Sequence, residues 1–267
     1  MDSGVKSKHD GQARHSLASL VLAWGFAWLF TAVCWTGGTF LSLLTLRRRA
    51  DVIMPRTARF WGTLTLRLLG IKLVMHHGER LDGYRSRVII ANHRSALDLV
   101  WAATVAPPGA FAVAKQSFRW IPFFNIGLWV SRSIFIDRRN RERAVAALQG
   151  VARRIREEHA SLFIAPEGTR SKTGEMLPFK KGAFHLAVEA RAPIYAVVCA
   201  GAEELLPKGR FVPAAGVLVA ECLPPIDVAD WNEEELEERI EDVRQKMIEA
   251  ENRLRQERAA LMKMPED

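Results

Sequence analysis

The sequence predicts an α/β fold: a mixed, mostly parallel sheet flanked by helices and preceded by an N-terminal membrane-embedded helical pair. Three observations predict it. After residue 70, short apolar and β-branched runs alternate with helical stretches, as strands and helices do in α/β domains. Before that point, Leu17–Leu46 contains no charged residue. The chain has 267 residues, which is long enough for one domain with appendages.

Four segments follow from these patterns. Residues 1–16 form a polar, mildly basic tail that we expect to be disordered, and residues 17–70 form the membrane-associating helical pair. Residues 71–225 form the α/β domain, and residues 226–267 form a C-terminal amphipathic helix. The apolar stripe of that last helix is expected to pack on the body of the protein, with a partner helix as the alternative.

The apolar run Leu17–Leu46 is the candidate membrane helix. Its length is sufficient, because a helix needs about 20 apolar residues to span a bilayer. Basic residues flank both ends, which leaves a re-entrant helix and a single span open. Val52–Leu69 predicts a second helix, whose residues Arg56, Arg59 and Arg67 can reach lipid phosphates if the helix is interfacial. A core helix with exposed arginines is the nearly equal alternative.

The α/β pattern begins at Ile71. Seven strands are predicted, at Ile71–Met75, Val88–Ala91, Ala110–Ala114, Ile134–Ile136, Ser161–Ala165, Ile194–Cys199 and Val217–Glu221. Helices are predicted at Ser95–Val105, about Phe118–Ile126, Arg141–Glu158, Gly182–Ala190 and Trp231–Lys263, with a loop or lid at Glu203–Pro213.

The charges divide the chain into a basic body and an acidic end. Residues 1–220 hold 31 Lys and Arg against 15 Asp and Glu, whereas residues 221–267 hold 7 against 15. A basic body favours an anionic membrane lipid or an anionic substrate. Nucleic acid is not expected as a partner, because no binding motif is present and aromatic residues are not interleaved with the basic ones. Cys34, Cys199 and Cys222 lack metal-ligand spacing, so we expect reduced thiols and no metal.

The stretch with the clearest chemistry runs from Val88 to Asp98. It begins as a strand and turns into a helix for which Ser95 is the expected N-cap. His93 therefore lies where a strand ends and a helix begins, a common ligand position in α/β sheets. Asp98 can bond one ring nitrogen of His93 and leave the other free to accept a proton. This is a base and its orienting carboxylate, without a nucleophile of their own.

Four ordered sequence blocks carry a family resemblance. N-H-R-S-A-L-D at 92–98 is followed about 70 residues later by P-E-G-T-R-S at 166–171, with S-I-F-I-D-R at 133–138 between them and A-P-I-Y-A-V at 192–197 after them. Together they resemble the glycerolipid acyltransferase family, over about residues 80–201. Ala165 departs from the pattern, because a bulky residue usually precedes P-E-G-T-R.

The resemblance implies an acyltransferase of phospholipid biosynthesis. It would move an acyl group from a thioester of acyl carrier protein or coenzyme A to the sn-2 hydroxyl of 1-acylglycerol 3-phosphate (lysophosphatidic acid), giving phosphatidic acid. His93 would remove the hydroxyl proton and Asp98 would hold the imidazole, with no covalent enzyme intermediate and no cofactor. We expect this enzyme at the cytoplasmic face of a bacterial inner membrane.

The acceptor phosphate is expected to bind at two of the blocks. Arg170 offers a planar fork suited to phosphate, and Gly168 lets backbone donors approach, with Glu167 and Thr169 in the same turn. Arg138 is the second candidate arginine. The resemblance assigns both blocks to acceptor binding. Glu167 is expected to orient Arg170 or the acceptor hydroxyl region, or else to form a structural ion pair.

Supporting roles are predicted for residues around the strand–helix turn. Asn92 is expected to shape the turn through bonds to backbone, and backbone N–H groups of the turn are candidates for the oxyanion. The resemblance places Lys115 near the site, with a surface lysine as the equal alternative. Lys180 and Lys181 add positive potential near the site or form a solvated pair.

Three other functions stay open at this point. In the first, the protein is an acyltransferase whose acceptor is another lyso-lipid, such as lyso-ornithine lipid or a lysophospholipid with a larger head group. Alternatively, His93 and Asp98 activate water in a thioesterase. A non-catalytic membrane-binding protein is the third reading, and the intact His93 and Asp98 argue against it.

Overall fold

The computed structural model describes residues 17–137, 141–171 and 174–263. The tail predicted at 1–16 and the candidate Arg138 lie outside the described residues. The helices are α1 (Leu17–Leu44), α2 (Ala50–Leu68), α3 (Asp98–Thr104), α4 (Phe124–Val130), α5 (Arg141–Leu148), α6 (Val151–Glu157), α7 (Gly182–Ala190), α8 (Ala202–Leu205) and α9 (Leu236–Leu261), with 3₁₀ helices at Gly78–Leu81 and Gln116–Trp120. The strands are β1 (Ile71–His76), β2 (Arg87–Ala91), β3 (Ala110–Lys115), β4 (Ile134–Ile136), β5 (Ser161–Ile164), β6 (Ile194–Ala200) and β7 (Gly216–Cys222).

The seven strands form one sheet in the order β1-β7-β6-β2-β5-β3-β4. Neighbouring strands are parallel except β6 and β7, which are antiparallel. The predicted mixed, mostly parallel sheet is therefore confirmed. Because β2 to β6 run in the same direction, their carboxyl ends share one edge of the sheet. The residues that follow β2 and β5 meet at the centre of this edge.

Helices cover both faces of the sheet, which explains why its strands are continuous apolar runs. Val88 and Ile90 of β2 pack with α6, α7 and α9 on one face. Ile89 and Ala91, which point the other way, pack with α3 and the end of α2. The turn that follows β2 is largely buried, with Asn92, Arg94 and Ser95 inside the protein and the His93 side chain partly exposed.

Four predicted helices have clearly different boundaries in the structure. The helix predicted at Trp231–Lys263 begins at Leu236 and ends at Leu261. The single helix predicted at Arg141–Glu158 is two helices, because Gly150 adopts φ +77° between them. The helix predicted near Phe118–Ile126 is a 3₁₀ helix followed by α4, and Phe123 breaks them at φ +66°. The helix predicted from Ser95 begins at Asp98.

The N-terminal helices form a pair whose two members differ in their surroundings. Within α1, Trp24–Leu44 is long and apolar enough to cross a membrane, by length and composition alone. In contrast, α2 packs between α1 and α3 and buries Met54, Trp61 and Leu66. Arg59 of α2 donates to a backbone carbonyl of the body. The contacts of α2 therefore favour the core-helix alternative.

The C-terminal helix α9 packs across β6 and β7. Its apolar stripe is buried against the sheet, which confirms the predicted packing on the body of the protein. The buried members of that stripe are Leu236, Ile240, Val243, Met247, Ala250 and Leu254. The helix thereby reaches the carboxyl edge of the sheet, next to the turn that carries His93.

Candidate active site

The His93 side chain lies in the turn between β2 and α3, at the carboxyl edge of the sheet. Its Nδ1 atom is 2.9 Å from Oδ2 of Asp98. The imidazole side chain is 27% exposed, and no described residue hydrogen-bonds its Nε2 atom. A carboxylate at Nδ1 favours the tautomer that leaves Nε2 unprotonated. His93 can therefore accept a proton from a molecule that enters at this edge.

The Asp98 carboxylate is held by three further donors. The backbone N–H groups of Arg94 and Ser95 donate to Oδ2 at 2.6 and 2.8 Å, and Nε1 of Trp101 donates to Oδ1 at 3.0 Å. Asp98 is buried and fixed by the turn itself. Each bond opposes rotation of the carboxylate away from His93.

Ser95 has a different role from the predicted N-cap. Its hydroxyl donates to the carbonyl of Leu206 at 2.8 Å and accepts from the backbone N–H of Leu97 at 3.3 Å. The first residue of α3 is Asp98, whose own carboxylate collects the N–H groups that precede the helix. The prediction that Ser95 is the N-cap was wrong because the helix begins three residues later, at Asp98, and the Ser95 hydroxyl bonds only the Leu97 N–H of the preceding turn.

Glu167 joins the two motif turns. Its Oε1 accepts from the backbone N–H of His93 at 2.8 Å, and its Oε2 accepts from that of Leu177 at 3.0 Å. The side chain is buried, and burial raises the pKa of Glu167, while the two backbone donors lower it. Among the described contacts, none joins Glu167 to Arg170 and none is an ion pair of Glu167, so of the expected roles the one towards the acceptor hydroxyl region, next to His93, stays a prediction.

The turn after β5 lies against the His93 turn. The backbone N–H of Ser171 donates to the carbonyl of His93 at 3.4 Å, next in sequence to the exposed Arg170. Gly168 adopts φ +70°, and a Cβ there would be 2.8 Å from Cε of Lys180. The structure therefore brings Lys180 to this turn, next to the exposed Thr169.

The other predicted supporting residues separate into inner and outer positions. Asn92 is buried and bonds both backbone groups of Cys199 at 2.9 Å, which ties the end of β2 to β6. These two bonds orient its amide towards the backbone of β6, so Asn92 supports the shape of the site. Lys115 is exposed at the end of β3, two strands from β2 and thus about 10 Å away along the edge. Lys181 pairs with Glu237 instead of facing the site.

Four backbone donors in the His93 turn are already occupied. The N–H groups of His93, Arg94, Ser95 and Leu97 bond Glu167, Asp98 or the Ser95 hydroxyl. These four groups are therefore not available to an oxyanion, whereas the N–H of the exposed Ala96 has no hydrogen bond among the described contacts. The exposed cationic side chains at this edge are the other remaining donors in the predicted set.

A buried ion pair next to the site was missed by the sequence analysis. Arg94, which follows His93, donates to Glu251 of α9 from Nε at 3.0 Å and from Nη2 at 2.5 Å. Both side chains are almost fully buried, and Glu251 also accepts from Arg255, which in turn bonds Glu203. The available signal was the position of Glu251, four residues after Met247 of the apolar stripe. Residues four apart lie on the same face of a helix, so this carboxylate is expected to face the body of the protein.

Comparison with known proteins identifies the family. A family model described as Acyltransferase matches residues 72–200. A 1-acyl-sn-glycerol-3-phosphate acyltransferase of Haemophilus influenzae is 37% identical over 74% of this chain and 80% of its own. One of Saccharomyces cerevisiae is 34% identical over 82% of this chain and 73% of its own. The chain belongs to the 1-acyl-sn-glycerol-3-phosphate acyltransferase family.

A solved structure agrees in fold with the chain. The 1-acyl-sn-glycerophosphate (LPA) acyltransferase PlsC of Thermotoga maritima superposes with a TM-score of 0.72, covering 94% of this chain and 99% of that one. At 24% identity, this likeness supports the fold alone.

The acyltransferase family model includes the whole His93 turn and the turn after β5, but not α9. The Arg94–Glu251 ion pair therefore joins the family segment to a helix outside it. Among the described residues, no group of three His, Cys, Asp or Glu side chains could hold a metal ion.

Proposed function

We propose that this acyltransferase moves a fatty acyl group from an acyl thioester to the sn-2 hydroxyl of 1-acylglycerol 3-phosphate, giving phosphatidic acid. The observation that carries the proposal is the pair formed by His93 and Asp98, in which the imidazole is partly exposed and its Nε2 has no hydrogen bond from a described residue. The names of the relatives supply the substrate class. The thioester is carried by acyl carrier protein or coenzyme A, both of which are acidic and suit the basic body of the chain.

His93 acts as the general base in this proposal. The acceptor hydroxyl attacks the thioester carbonyl while Nε2 takes its proton, and the thiolate then leaves with a proton returned by the imidazolium. Asp98 holds the ring and stabilises its charged form. The catalytic oxygen belongs to the substrate, so the enzyme forms no covalent intermediate.

The side chains near His93 that could act as nucleophiles support direct transfer. The Ser95 hydroxyl is engaged with Leu206 and Leu97. Burial raises the pKa of the Cys199 thiol well above its ordinary value and that of Cys222 to about 11. Because a thiol reacts as its thiolate, both cysteines remain unreactive near neutral pH.

Positive charge beside His93 supports an acceptor phosphate. Arg170 is exposed one residue from the bond between Ser171 and His93, and Lys180 lies against Gly168 of the same turn. A guanidinium binds phosphate with two parallel hydrogen bonds. Arg138, assigned to acceptor binding by the family resemblance, is proposed as the second arginine.

An apolar cavity of about 140 Å³ supports a fatty acyl chain as one of the ligands. It lies between α2, α3, α4 and the adjoining strands, and Leu99, Trp61, Phe124 and Phe163 are among its lining residues. Leu99 directly follows Asp98, which places one wall of the cavity next to the proposed catalytic pair. Apolar walls bind an alkyl chain by removing both surfaces from water.

We also propose that the enzyme works on the cytoplasmic surface of the membrane. The apolar helix α1 provides the attachment, and a lyso-lipid acceptor resides in the same bilayer. Acyl carrier protein and coenzyme A thioesters are water-soluble donors of the cytoplasm. The site therefore receives the lyso-lipid acceptor from the bilayer and the thioester donor from the cytoplasm.

The test is a transfer assay with purified enzyme and lysophosphatidic acid, supplying acyl-coenzyme A and acyl carrier protein thioesters in parallel. We expect phosphatidic acid as the product and a loss of about 10²–10⁴-fold in rate for His93→Ala, because a positioned general base contributes that much. His185→Ala removes an exposed imidazole on α7 and is the matched control. Near-normal transfer by His93→Ala would reject the mechanism.

The same assay separates the alternatives. Equal thiol release with and without acceptor identifies a thioesterase, in which water replaces the lipid hydroxyl. Faster transfer to lyso-ornithine lipid or to a lysophospholipid with a larger head group identifies a different acceptor. In that case, Arg170→Ala would affect the rate less than it does with lysophosphatidic acid.

A further inference from the structure

An uncharged face of the α/β domain lies beside the membrane helix. In the segment 116–130, Trp120, Phe123, Ile126 and Trp129 are 84%, 41%, 49% and 57% exposed. Trp120 ends the 3₁₀ helix, Phe123 directly precedes α4, and Ile126 and Trp129 belong to α4. We refer to these four side chains as the α4 face. Soluble proteins rarely expose neighbouring large apolar side chains without a ligand for them.

The opposite side of α4 is packed against α1. The rings of Phe124 and Trp35 are 4.3 Å apart between centroids. A Cβ on Gly127 would be only 2.2 Å from the Trp35 ring, so the close approach of α4 to α1 requires glycine there. Because α4 is apolar on both sides and contains no charged residue, it resembles a helix in an apolar environment rather than a surface helix in water.

The α4 face continues the apolar surface of α1. Phe26, Val33 and Phe40 of α1 are about 60% exposed, and α1 contacts α4 directly. Whatever covers the exposed side of α1 therefore also reaches α4. Since α1 has the length and composition of a membrane helix, lipid is the occupant that fits both surfaces.

Charged and aromatic side chains mark both ends of the α4 face. At the end of α4, the guanidinium of Arg47 lies 4.4 Å over the Trp129 ring and donates to the carbonyls of Trp129 and Val130. At the other end, exposed Arg119 adjoins Trp120. Tryptophan with arginine is the composition of the membrane–water interface, where the ring is apolar and the cation meets lipid phosphates.

We propose that the α4 face is a second bilayer contact, made by the α/β domain itself. This proposal rests on the proposed membrane association of the enzyme. The 3₁₀ helix follows the carboxyl end of β3, so Trp120 lies at the edge of the sheet that carries His93. Contact along α4 holds that edge at the lipid surface, where a lyso-lipid acceptor enters the site without leaving the bilayer.

The experiment uses the full-length protein with a fluorophore on single introduced cysteines. In a Cys34→Ser background, the two remaining cysteines are buried. Ile126→Cys tests the α4 face, Leu41→Cys reports α1, and Phe211→Cys is an exposed apolar control on the loop before β7. Each labelled protein is reconstituted in vesicles of phosphatidylethanolamine and phosphatidylglycerol, with or without a spin-labelled lipid that quenches the fluorophore.

We expect strong quenching by the spin-labelled lipid at positions 41 and 126 and little at position 211, with the reverse order for aqueous iodide. Quenching at 41 but not at 126 overturns the second contact and leaves membrane association intact. Quenching at neither position overturns both. Protection of position 126 from both quenchers indicates a second copy of the chain on this face and also overturns the proposal.

The measurement does not depend on acyl transfer, so its failure is distinguishable from failure of the proposed reaction. A second readout links the contact to catalysis. We expect Trp120→Ser to lower transfer to vesicle-embedded acceptor several-fold while transfer to a short-chain, water-soluble acceptor is unchanged. Phe211→Ser is the matched control, and equal loss with both acceptors in Trp120→Ser would contradict the role in lipid entry.

Discussion

The charged residues on the two sides of the His93 turn differ in their exposure to solvent. Towards α9, Arg94 and Glu251 form a bidentate ion pair whose side chains are 3% and 4% exposed. Towards β3 and the turn after β5, Lys115 and Arg170 are exposed at the same sheet edge. The first pair is complete within the protein, whereas the second set presents charge to the outside.

This difference matches what each side must do. A general base requires a fixed geometry, because a misplacement of about 1 Å can cost 10²-fold in rate. The buried pair fixes the residue that follows His93, and Glu167 fixes the backbone of His93 itself. A phosphate ligand brings its own charge, so exposed cations such as Arg170 remain hydrated until it binds. The comparison predicts that changes on the buried side alter stability and the rate of transfer, and that changes on the exposed side alter acceptor affinity.

The largest effect is expected for Asp98→Asn, which breaks the buried side at its centre. An amide has one acceptor oxygen, so it cannot accept both the three bonds now at Oδ2 of Asp98 and the bond from Nε1 of Trp101 at Oδ1, and it has no charge to stabilise the imidazolium. We expect the imidazole to lose its tautomer and orientation and transfer to fall by about 10²–10⁴-fold, measured as phosphatidic acid formed per unit time.

Asp242→Asn is the control for this substitution, because Asp242 is an exposed aspartate on α9. Membrane association of Asp98→Asn should match that of the wild type. A rate within about threefold of the wild type would show that His93 acts without its carboxylate, since a general base contributes at least 10²-fold.

The next effect is expected for Glu251→Gln. Removing one partner of a buried ion pair leaves the other charge uncompensated, at a cost of about 3–5 kcal/mol. Arg94 is the charge left behind here, while Arg255 keeps Glu203. We expect a lower midpoint in chemical denaturation and a lower kcat with the acceptor KM nearly unchanged, because the change acts through the His93 turn.

Glu249→Gln is the matched control, on the exposed side of the same helix. Restoration of kcat by Glu251→Asp would support a role of the charge itself. If Glu251→Gln lowers stability but kcat stays at the wild-type value, the ion pair stabilises the fold without positioning the base.

A smaller effect is expected for Arg170→Ala on the exposed side. A charge-assisted hydrogen bond contributes about 1.5–3 kcal/mol, which corresponds to roughly 10–150-fold in binding. We expect the KM for lysophosphatidic acid to rise by a factor in this range and the KM for the thioester to change little. Stability should be unaffected, because the side chain is exposed.

Arg239→Ala removes an exposed arginine from α9 and is the control for charge alone. A rise in the thioester KM without a rise in the acceptor KM would assign Arg170 to the donor. The difference between the buried and the exposed side would then still hold, but the exposed side would bind the thioester donor instead of the acceptor.

The sequence predicted all seven strands and placed His93 beside Asp98, because strand periodicity and a five-residue spacing are local properties. The helix breaks at Gly150 and Phe123 were missed, since positive φ angles there depend on how the flanking helices pack. Glu251 lies 157 residues after Arg94, and single-sequence periodicity carries no information on such pairs. The residues predicted best are thus those in the family motifs, and those missed connect the motifs to the remainder of the fold.

The smallest effect is expected for Glu167→Gln, at the junction of the two motif turns. Burial raises the pKa of Glu167 above its ordinary value of 4.5, so the ionised form is disfavoured in the folded state. Its contribution to stability is complete below pH 4.5 and is lost as the pH rises through the raised, folded-state pKa. Glutamine does not titrate, but its NH2 group cannot accept one of the two bonds that the His93 and Leu177 N–H groups donate to the carboxylate oxygens.

We therefore expect the free energy of unfolding of Glu167→Gln, relative to that of the wild type, to be lowest near pH 4.5 and to rise towards pH 7, measured by chemical denaturation across that range. Glu189→Gln, at an exposed position of α7, is the control for loss of a surface charge. The opposite trend, with the variant losing stability relative to the wild type as the pH rises, would mean that the bonds from the His93 and Leu177 N–H groups outweigh the cost of burying the charge. In that case, the contact of Glu167 with the two turns would resemble the Arg94–Glu251 ion pair, because its buried charge would be stabilised by partners within the protein.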